Sequence, residues 1–524
     1  MKMLFIRTVA VVGLLSIILT GCLNKEKESM DSMDHSKMDP AGTENTTAPK
    51  SGTATANTVK MMTIRQTEFT LTAQASNLEV EPGKMLPVWT FNNSVPGPEI
   101  RVKQGDKVKI TLKNELTVPV SIHWHGVPVP ISIDGVPGVT QNAVQPGQSF
   151  VYEFTANVQG TYWYHSHQDS VNQIDRGLYG SFIVEAKDNQ ATRDYTLMLD
   201  EWMSSGSSTD SMNMESMNGM EPESGATETS GAGHDMNIYD LLTINGNSGT
   251  GIESLAVKQG DKVRLRLVNA GYKSHTLHLH GHEWKVTATD GQPVNNPQLL
   301  KDSLLAIAPG ERYDMEFEAN NPGQWYLEAH GSEPGVKGMK IKIAYDGVTE
   351  VTDEPNDAVL DLPNFDLTRY GQAGKSSFTL DQKYDVDYTM NLGTDSKDGN
   401  LIYTINGKTF PNTDPIQVKK GDKVKVRMVN NSVSGDHPMH LHGHFFQVLS
   451  KNGKALEGSS IVKDTLNLKP GEEYVVALEA DNPGDWMFHC HDLHHASAGM
   501  VTDMKYTDYK SDFVADPKVS NKPE

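Results

Sequence analysis

Four short histidine motifs concentrate the reactive side chains of this chain: His123-Trp124-His125, His165-Ser166-His167, His440-Leu441-His442 and His489-Cys490-His491. In an extended strand, residues two apart point to the same side, so each pair presents two imidazoles to one place. Four pairs offer eight nitrogen donors, enough for a cluster of three metal ions, and imidazole is a ligand that copper favours. The donors left over form a second set. His437, Cys490, His495 and Met500 are two imidazoles, one thiolate and one thioether, which is the donor set of a blue-copper electron-transfer centre. Cys490 lies between two histidines of the first set. An electron on its sulfur therefore has a short covalent route into the cluster.

Only two cysteines exist, Cys22 and Cys490. A metal-bound thiolate is protected from oxidation, which gives an exported protein a reason to keep one free cysteine. Export is expected from the leader at 1–22. Lys2 and Arg7 flank its start, and Val9 to Leu19 is an apolar run too short for a membrane span. It ends in Leu19-Thr20-Gly21-Cys22, which resembles a bacterial lipobox. That resemblance implies lipid on Cys22 and an extracytoplasmic protein anchored to the bacterial cell membrane. An ordinary signal peptide is the alternative. There is no twin-arginine pair, so export of an unfolded chain and copper loading outside the cell are expected. The formal net charge of -21 repels nucleic acid and excludes it as a partner.

The elements that must position these donors come in three copies. Val102-Lys-Gln-Gly-Asp106, Val257-Lys-Gln-Gly-Asp261 and Val418-Lys-Lys-Gly-Asp422 each lead into an alternating apolar/polar strand that ends at Asn114, Asn269 or Asn430. Each copy then gives a histidine strand, a Pro-Gly turn and a last strand. The last strands are Gly160–His165, Gly323–Glu328 and Gly484–His489. A period of about 155–160 residues is domain-sized, not a solenoid unit. Short strands, Gly/Pro turns and almost no helical periodicity predict an all-β fold of antiparallel sandwiches or barrels. The expected order is a tether rich in Met, Ser and Thr at 23–58, domains at 59–190, 191–350 and 351–510, and a tail at 511–524. A methionine-rich insertion at 203–236 interrupts the second domain.

The four motifs resemble those of the multicopper oxidases, and the chain looks like their three-domain bacterial lipoprotein group over residues 60 to 510. The resemblance implies three cupredoxin-like domains and four copper ions: one type 1, one type 2 and two type 3. It implies that substrate is oxidised one electron at a time at type 1 copper, and that four electrons convert dioxygen to water at the other three. Carried over motif by motif, His123 and His440 resemble the type 2 ligands. His125, His165 and His491 resemble the ligands of one type 3 copper, and His167, His442 and His489 those of the other. His437, Cys490 and His495 look like the type 1 ligands, with Met500 axial. Asp134 is similar to a family carboxylate that assists proton delivery, the alternative being a turn residue in Asp134-Gly135. The resemblance also implies a monomer.

The second copy departs from the set. Glu328, Ala329, His330, Pro334 and Met339 stand where the third copy has His489, Cys490, His491, His495 and Met500, although His275, His278, His280 and His282 are kept. A structural spacer with a decayed site is expected there, with a retained weak metal site as the alternative on ligand softness. His444 and His494 fall beside the ligand pattern and are expected in a supporting or surface role.

The reductant is left open. Met203, Met212, Met214, Met217, Met220 and Met236 lie in the insertion with His234, and Met30, Met33, His35 and Met38 in the tether. Thioether is a soft donor for cuprous ion, so cuprous oxidation in copper tolerance is the leading expectation; low-complexity filler is the bland alternative. A laccase acting on phenols or aromatic amines, a copper-sequestering surface protein and a nitrite reductase are the other readings. The complete four-copper set disfavours sequestration, and the His489-Cys490-His491 link favours dioxygen over nitrite.

Overall fold

Alternation builds the strands. In Lys107–Asn114, Val108, Ile110 and Leu112 are fully buried while Lys107 and Lys109 are exposed. Lys262–Asn269 and Lys423–Asn430 are the same strand in the other two copies. Each pairs antiparallel with the strand after the Pro-Gly turn, namely Ser149–Thr155, Arg312–Glu318 or Glu473–Glu479. Each also pairs in parallel with the strand that opens its copy: Glu68–Glu81, Arg193–Trp202 or Val386–Lys397. The pairing is therefore mixed rather than wholly antiparallel, because the chain crosses between sheets before returning. The computed structural model describes residues 61–187, 190–204, 238–348 and 361–524. The leader with Cys22, the tether at 23–58 and all of the insertion except Met203 and Ser204 lie outside the described residues.

The second sheet of each copy carries the histidines. His123–His125 pairs with Gly160–His165, His275–Leu279 with Gln324–Ala329, and His437–Leu441 with Asp485–Cys490. Six sheets thus form three two-sheet units, each filled by its own apolar core, around Ile110, Leu265 and Val426 respectively. The fold is all-β, with three cupredoxin-like domains.

The three repeated asparagines show why each strand stops where it does. Asn114, Asn269 and Asn430 are fully buried. The amide of each donates to two carbonyls of its own copy: Val118 and Val144, Lys273 and Ile307, Gly435 and Leu468. The side-chain oxygen of each accepts from the backbone N–H two residues on. Each thus satisfies a loop backbone that would otherwise be buried without partners.

Candidate metal centre

All eight histidines of the four motifs are buried, at 0–1% exposure. Strand register sets His123 opposite His165 and His440 opposite His489. The two strand pairs then meet. The His125 ring stacks on His440 with centroids 3.7 Å apart, and His123 stacks on His442 at 3.9 Å. Donor atoms of His167, His442 and His489 lie within 4.8 Å of one another, as do those of His123, His440 and His442. The rings of His125, His165 and His491 gather with centroids 4.7–5.8 Å apart. The cluster therefore sits between the first and third domains, each supplying four histidines.

These residues fit copper. Six of them, His123, His125, His165, His167, His440 and His491, keep at least one ring nitrogen buried with no hydrogen-bond partner, which is costly unless something else satisfies it. The opposite nitrogen is tied down in most cases. His123 Nδ1 donates to Asp134 O at 2.8 Å, His165 Nδ1 to Ser166 O at 2.9 Å, and His440 Nδ1 to Asp464 O at 3.1 Å. Such bonds fix the tautomer and aim the other nitrogen at a metal. Burial, reinforced by neighbouring histidines, holds His165, His442 and His489 well below the usual imidazole range. They are neutral and ready to coordinate.

Asp134 lies inside this frame, 1% exposed. Its Oδ2 accepts from His442 Nδ1 at 2.8 Å, and its Oδ1 is 3.2 Å from His123 Nδ1. It joins a histidine of each domain. The turn reading holds as well: Gly135 has φ +88°, and a Cβ there would collide with the Ile122 carbonyl.

Other contributors were not singled out from the sequence as part of the site. Thr465 Oγ1 bonds His125 Nε2 at 3.1 Å and His440 Nδ1 at 3.0 Å. Asp464 holds Arg312 of the second domain through two bonds, at 2.7 and 2.5 Å. The Pro309-Gly310 turn of that domain presses on the cluster, so a Cβ at Gly310 would lie 2.8 Å from His491 Cγ. The segment set down from the sequence as a tail returns to the first domain. Asn521 Oδ1 accepts from Ala143 N, Lys522 N donates to Gln168, and Pro523 O accepts from His167 Nδ1. The Glu524 side chain is left 9% exposed, its Oε1 3.6 Å from His167 and 3.5 Å from His489. Only its carboxylate marked it in the sequence.

His437, Cys490 and His495 come together as the second set. Cys490 Sγ is 3.8 Å from His437 Nδ1 and 3.6 Å from His495 Nδ1, and the two nitrogens are 3.2 Å apart. Ser432 Oγ bonds the far nitrogen of His437 at 2.9 Å, and Asp492 lies 3.3 Å from that of His495. Tyr403 stacks on His495 at 3.8 Å. Met500 is fully buried, and its carbonyl accepts from Cys490 N. Burial, with Asp492 nearby, raises the Cys490 thiol, so the thiolate needs a cation to form there. His444 and His494 are buried, not on the surface; they bond Tyr506 and Tyr239. Met203 and Ile238, which flank the undescribed insertion, pack in one cluster with Tyr239 and with Leu493 and Ala496 of the helix bearing His495.

The second domain has no cysteine. His275 Nε2 is 3.1 Å from Glu201, His282 bonds Tyr345, and Ala329 occupies the cysteine position.

Multicopper-oxidase family models match residues 72–189, 193–345 and 378–510. The chain is similar to the multicopper oxidase MmcO of Mycobacterium tuberculosis, 31% identical over 84% of this chain and 87% of that protein. It is 29% identical to laccase-1 of Botryotinia fuckeliana, over 86% of this chain and 84% of the other. It is 24% identical to a copper resistance protein A homologue of Pseudomonas syringae pv. tomato, over 84% and 92%. Three matched domains, arranged so that the first and third close around eight histidines, make this chain a copper-dependent oxidoreductase of the multicopper oxidase family.

Proposed function

We propose that this oxidase takes its electrons from cuprous ion and serves copper tolerance outside the cell. The observation that carries this is where the described flanks of the methionine-rich stretch lie. Tyr239 bonds His494 Nε2 at 2.9 Å on the helix Leu493–Ser497 that holds His495, and Met203 and Ile238 belong to the same apolar cluster as Leu493 and Ala496 of that helix, so the two flanks of a soft-donor stretch lie in the cluster that supports the electron-accepting site. Methionine thioether selects cuprous over harder ions.

In this reading His437, Cys490 and His495 would hold type 1 copper, with Met500 as a further donor. His123 and His440 hold type 2 copper. His125, His165 and His491 hold one type 3 copper, and His167, His442 and His489 the other. The four coppers supply one-electron acceptance and the four-electron reduction of dioxygen to water. Protein groups do the rest. The His489-Cys490-His491 backbone links the thiolate to the cluster, with the Cys490 carbonyl accepting from His489 Nδ1 at 3.0 Å. Asp134 holds His442 and His123, and in this reading it is the carboxylate that passes protons toward the histidine cluster. Domains at 59–190, 191–350 and 351–510, and lipid attachment at Cys22, complete the proposal.

Deleting 203–236 should reduce kcat/KM for cuprous ion far more than for a substituted phenol. Equal loss of both, or of neither, would favour a laccase acting on phenols. Replacing Cys22 with Ser should move the protein from the membrane fraction to the soluble one; an unchanged distribution refutes the anchor.

A further inference from the structure

Outside the four-copper machinery, the second domain assembles a compact set of donors. His278 and His280 lie on or just past the strand His275–Leu279, and Glu328 and His330 on or just past Gln324–Ala329. Register sets His278 opposite Glu328, as it sets His440 opposite His489 in the third domain. The same strand pair thus carries the same arrangement, with a carboxylate in place of one imidazole.

The geometry is that of a site rather than of scattered residues. Donor atoms of His278, His280 and His330 all lie within 4.8 Å of one another. Glu328 Oε1 is 2.9 Å from His280 Nε2 and 3.6 Å from His330 Nε2. His278, His280, Glu328 and His330 are 6, 7, 7 and 10% exposed, so the set sits just below the surface with His330 at its rim. Neither ring nitrogen of His278 has a hydrogen-bond partner. A histidine–glutamate ion pair accounts for His280 alone; it leaves His278 buried and unsatisfied, at a cost a bound cation removes.

We propose that His278, His280, His330 and Glu328 bind a fifth metal ion, a divalent transition ion of the cupric or zinc class. Three imidazoles and one carboxylate suit both ions, and softness alone prefers cupric. Burial, with His280 and His330 beside it, lowers His278 to about 4, so its ring is neutral and ready to ligate at ordinary pH. The missing cysteine, with Ala329 in its place, excludes a type 1 centre here; the site is one of binding, with no part in electron transfer to dioxygen. The lost cysteine agrees with the decayed type 1 position expected from the sequence, and the proposal takes up the alternative of a retained metal site, with glutamate standing as a donor where the third domain has histidine.

The test is a metal count on the holoprotein. Protein holding four coppers, freed of loose metal by gel filtration, is titrated calorimetrically with Zn²⁺ and, separately, Cu²⁺. One further equivalent should bind, and the Cu²⁺ arm should add an EPR signal of nitrogen-ligated cupric ion. His278→Ala and the rim variant His330→Gln should each weaken that equivalent by about 100-fold or more, with the type 1 absorption and cuprous-oxidase rate unchanged. Binding of Zn²⁺ only, or of Cu²⁺ only, at the histidine-dependent site identifies the ion. No extra equivalent in the parent protein, or one that survives in His330→Gln at full affinity, overturns the proposal.

Discussion

Replacing Arg312 with Met should destabilise the protein by about 3–5 kcal/mol, the cost of stranding a buried charge. Arg312 and Asp464 are both fully buried. The guanidinium donates twice to Asp464, once to Gly310 O at 3.0 Å and once to Thr161 O at 3.1 Å. It thereby ties the second domain to the third and the first at once. Asp290 keeps Lys463 at 3.1 Å when the arginine goes; Asp464 keeps no cation. Burial by itself would raise the Asp464 carboxyl, and it is Arg312, by charge and hydrogen bonding, that holds it well below the usual carboxylate range. Without the arginine the carboxyl takes up a proton more readily, so the loss should be larger at pH 8 than at pH 5. Urea unfolding of parent, Arg312→Met, Asp464→Asn and the double variant would measure this. The double variant should recover at least about 1 kcal/mol relative to the sum of the singles. A single variant within about 1 kcal/mol of the parent, or an additive cycle, would show that the pair does not clamp the domains.

Asp134→Ala removes the side-chain partner of His442 but leaves His123 its bond to the Asp134 carbonyl; the copper held with His442 should weaken about 10–100-fold and the one held with His123 less, as read by chelator-driven copper release, with Asp134→Asn largely restoring it. Deleting residues 516–524 removes the Pro523 carbonyl from His167 and uncovers His489, so release of the copper at those histidines should also accelerate, about 10-fold or more; unchanged release would mean that the segment only covers the surface. Burial, then the neighbouring Asp485, raise Asp503 from 3.8 to about 6. The folded state therefore keeps a proton there that the unfolded state has lost, and this group's contribution to stability falls as pH rises from about 4 to about 6. Asp503→Asn should stabilise the protein above pH 6, by at most about 3 kcal/mol, and do nothing below pH 4; equal thermal shifts at both pH values would refute the assignment.

The fold and the ten histidines were legible because repetition and strand period carry the information locally. A histidine two residues from another in an alternating run needs no partner to be recognised, and three copies of the Val-Lys-x-Gly-Asp block locate the strands that hold them. The supporting groups were not legible. Thr465, Asp464, Arg312 and Glu524 come from elements far apart in the chain and have no fixed spacing to the motifs. Their role exists only after the domains close. For His444 and His494 the sequence left a supporting or a surface role open, and the fold decides for the supporting one by burying both and giving each a tyrosine.

The second domain shows why counting ligands and locating function are separate questions. It contributes no histidine to the cluster, yet Gly310 touches His491 and Arg312 fixes Asp464, whose Oδ1 lies 3.4 Å from both His125 Nε2 and His440 Nδ1. The domain therefore shapes the histidine cluster through packing and charge, and a sequence comparison of ligands assigns it nothing. The constraint also runs the other way. Holding Arg312 in place uses the strand Arg312–Glu318, which pairs with Lys262–Asn269 in the second domain's other sheet, so the sheet bearing His278 and His330 stays free to keep or exchange donors. A domain can lose a cysteine, retain three imidazoles and gain a carboxylate without disturbing the clamp, because clamp and donors lie on different sheets of one sandwich.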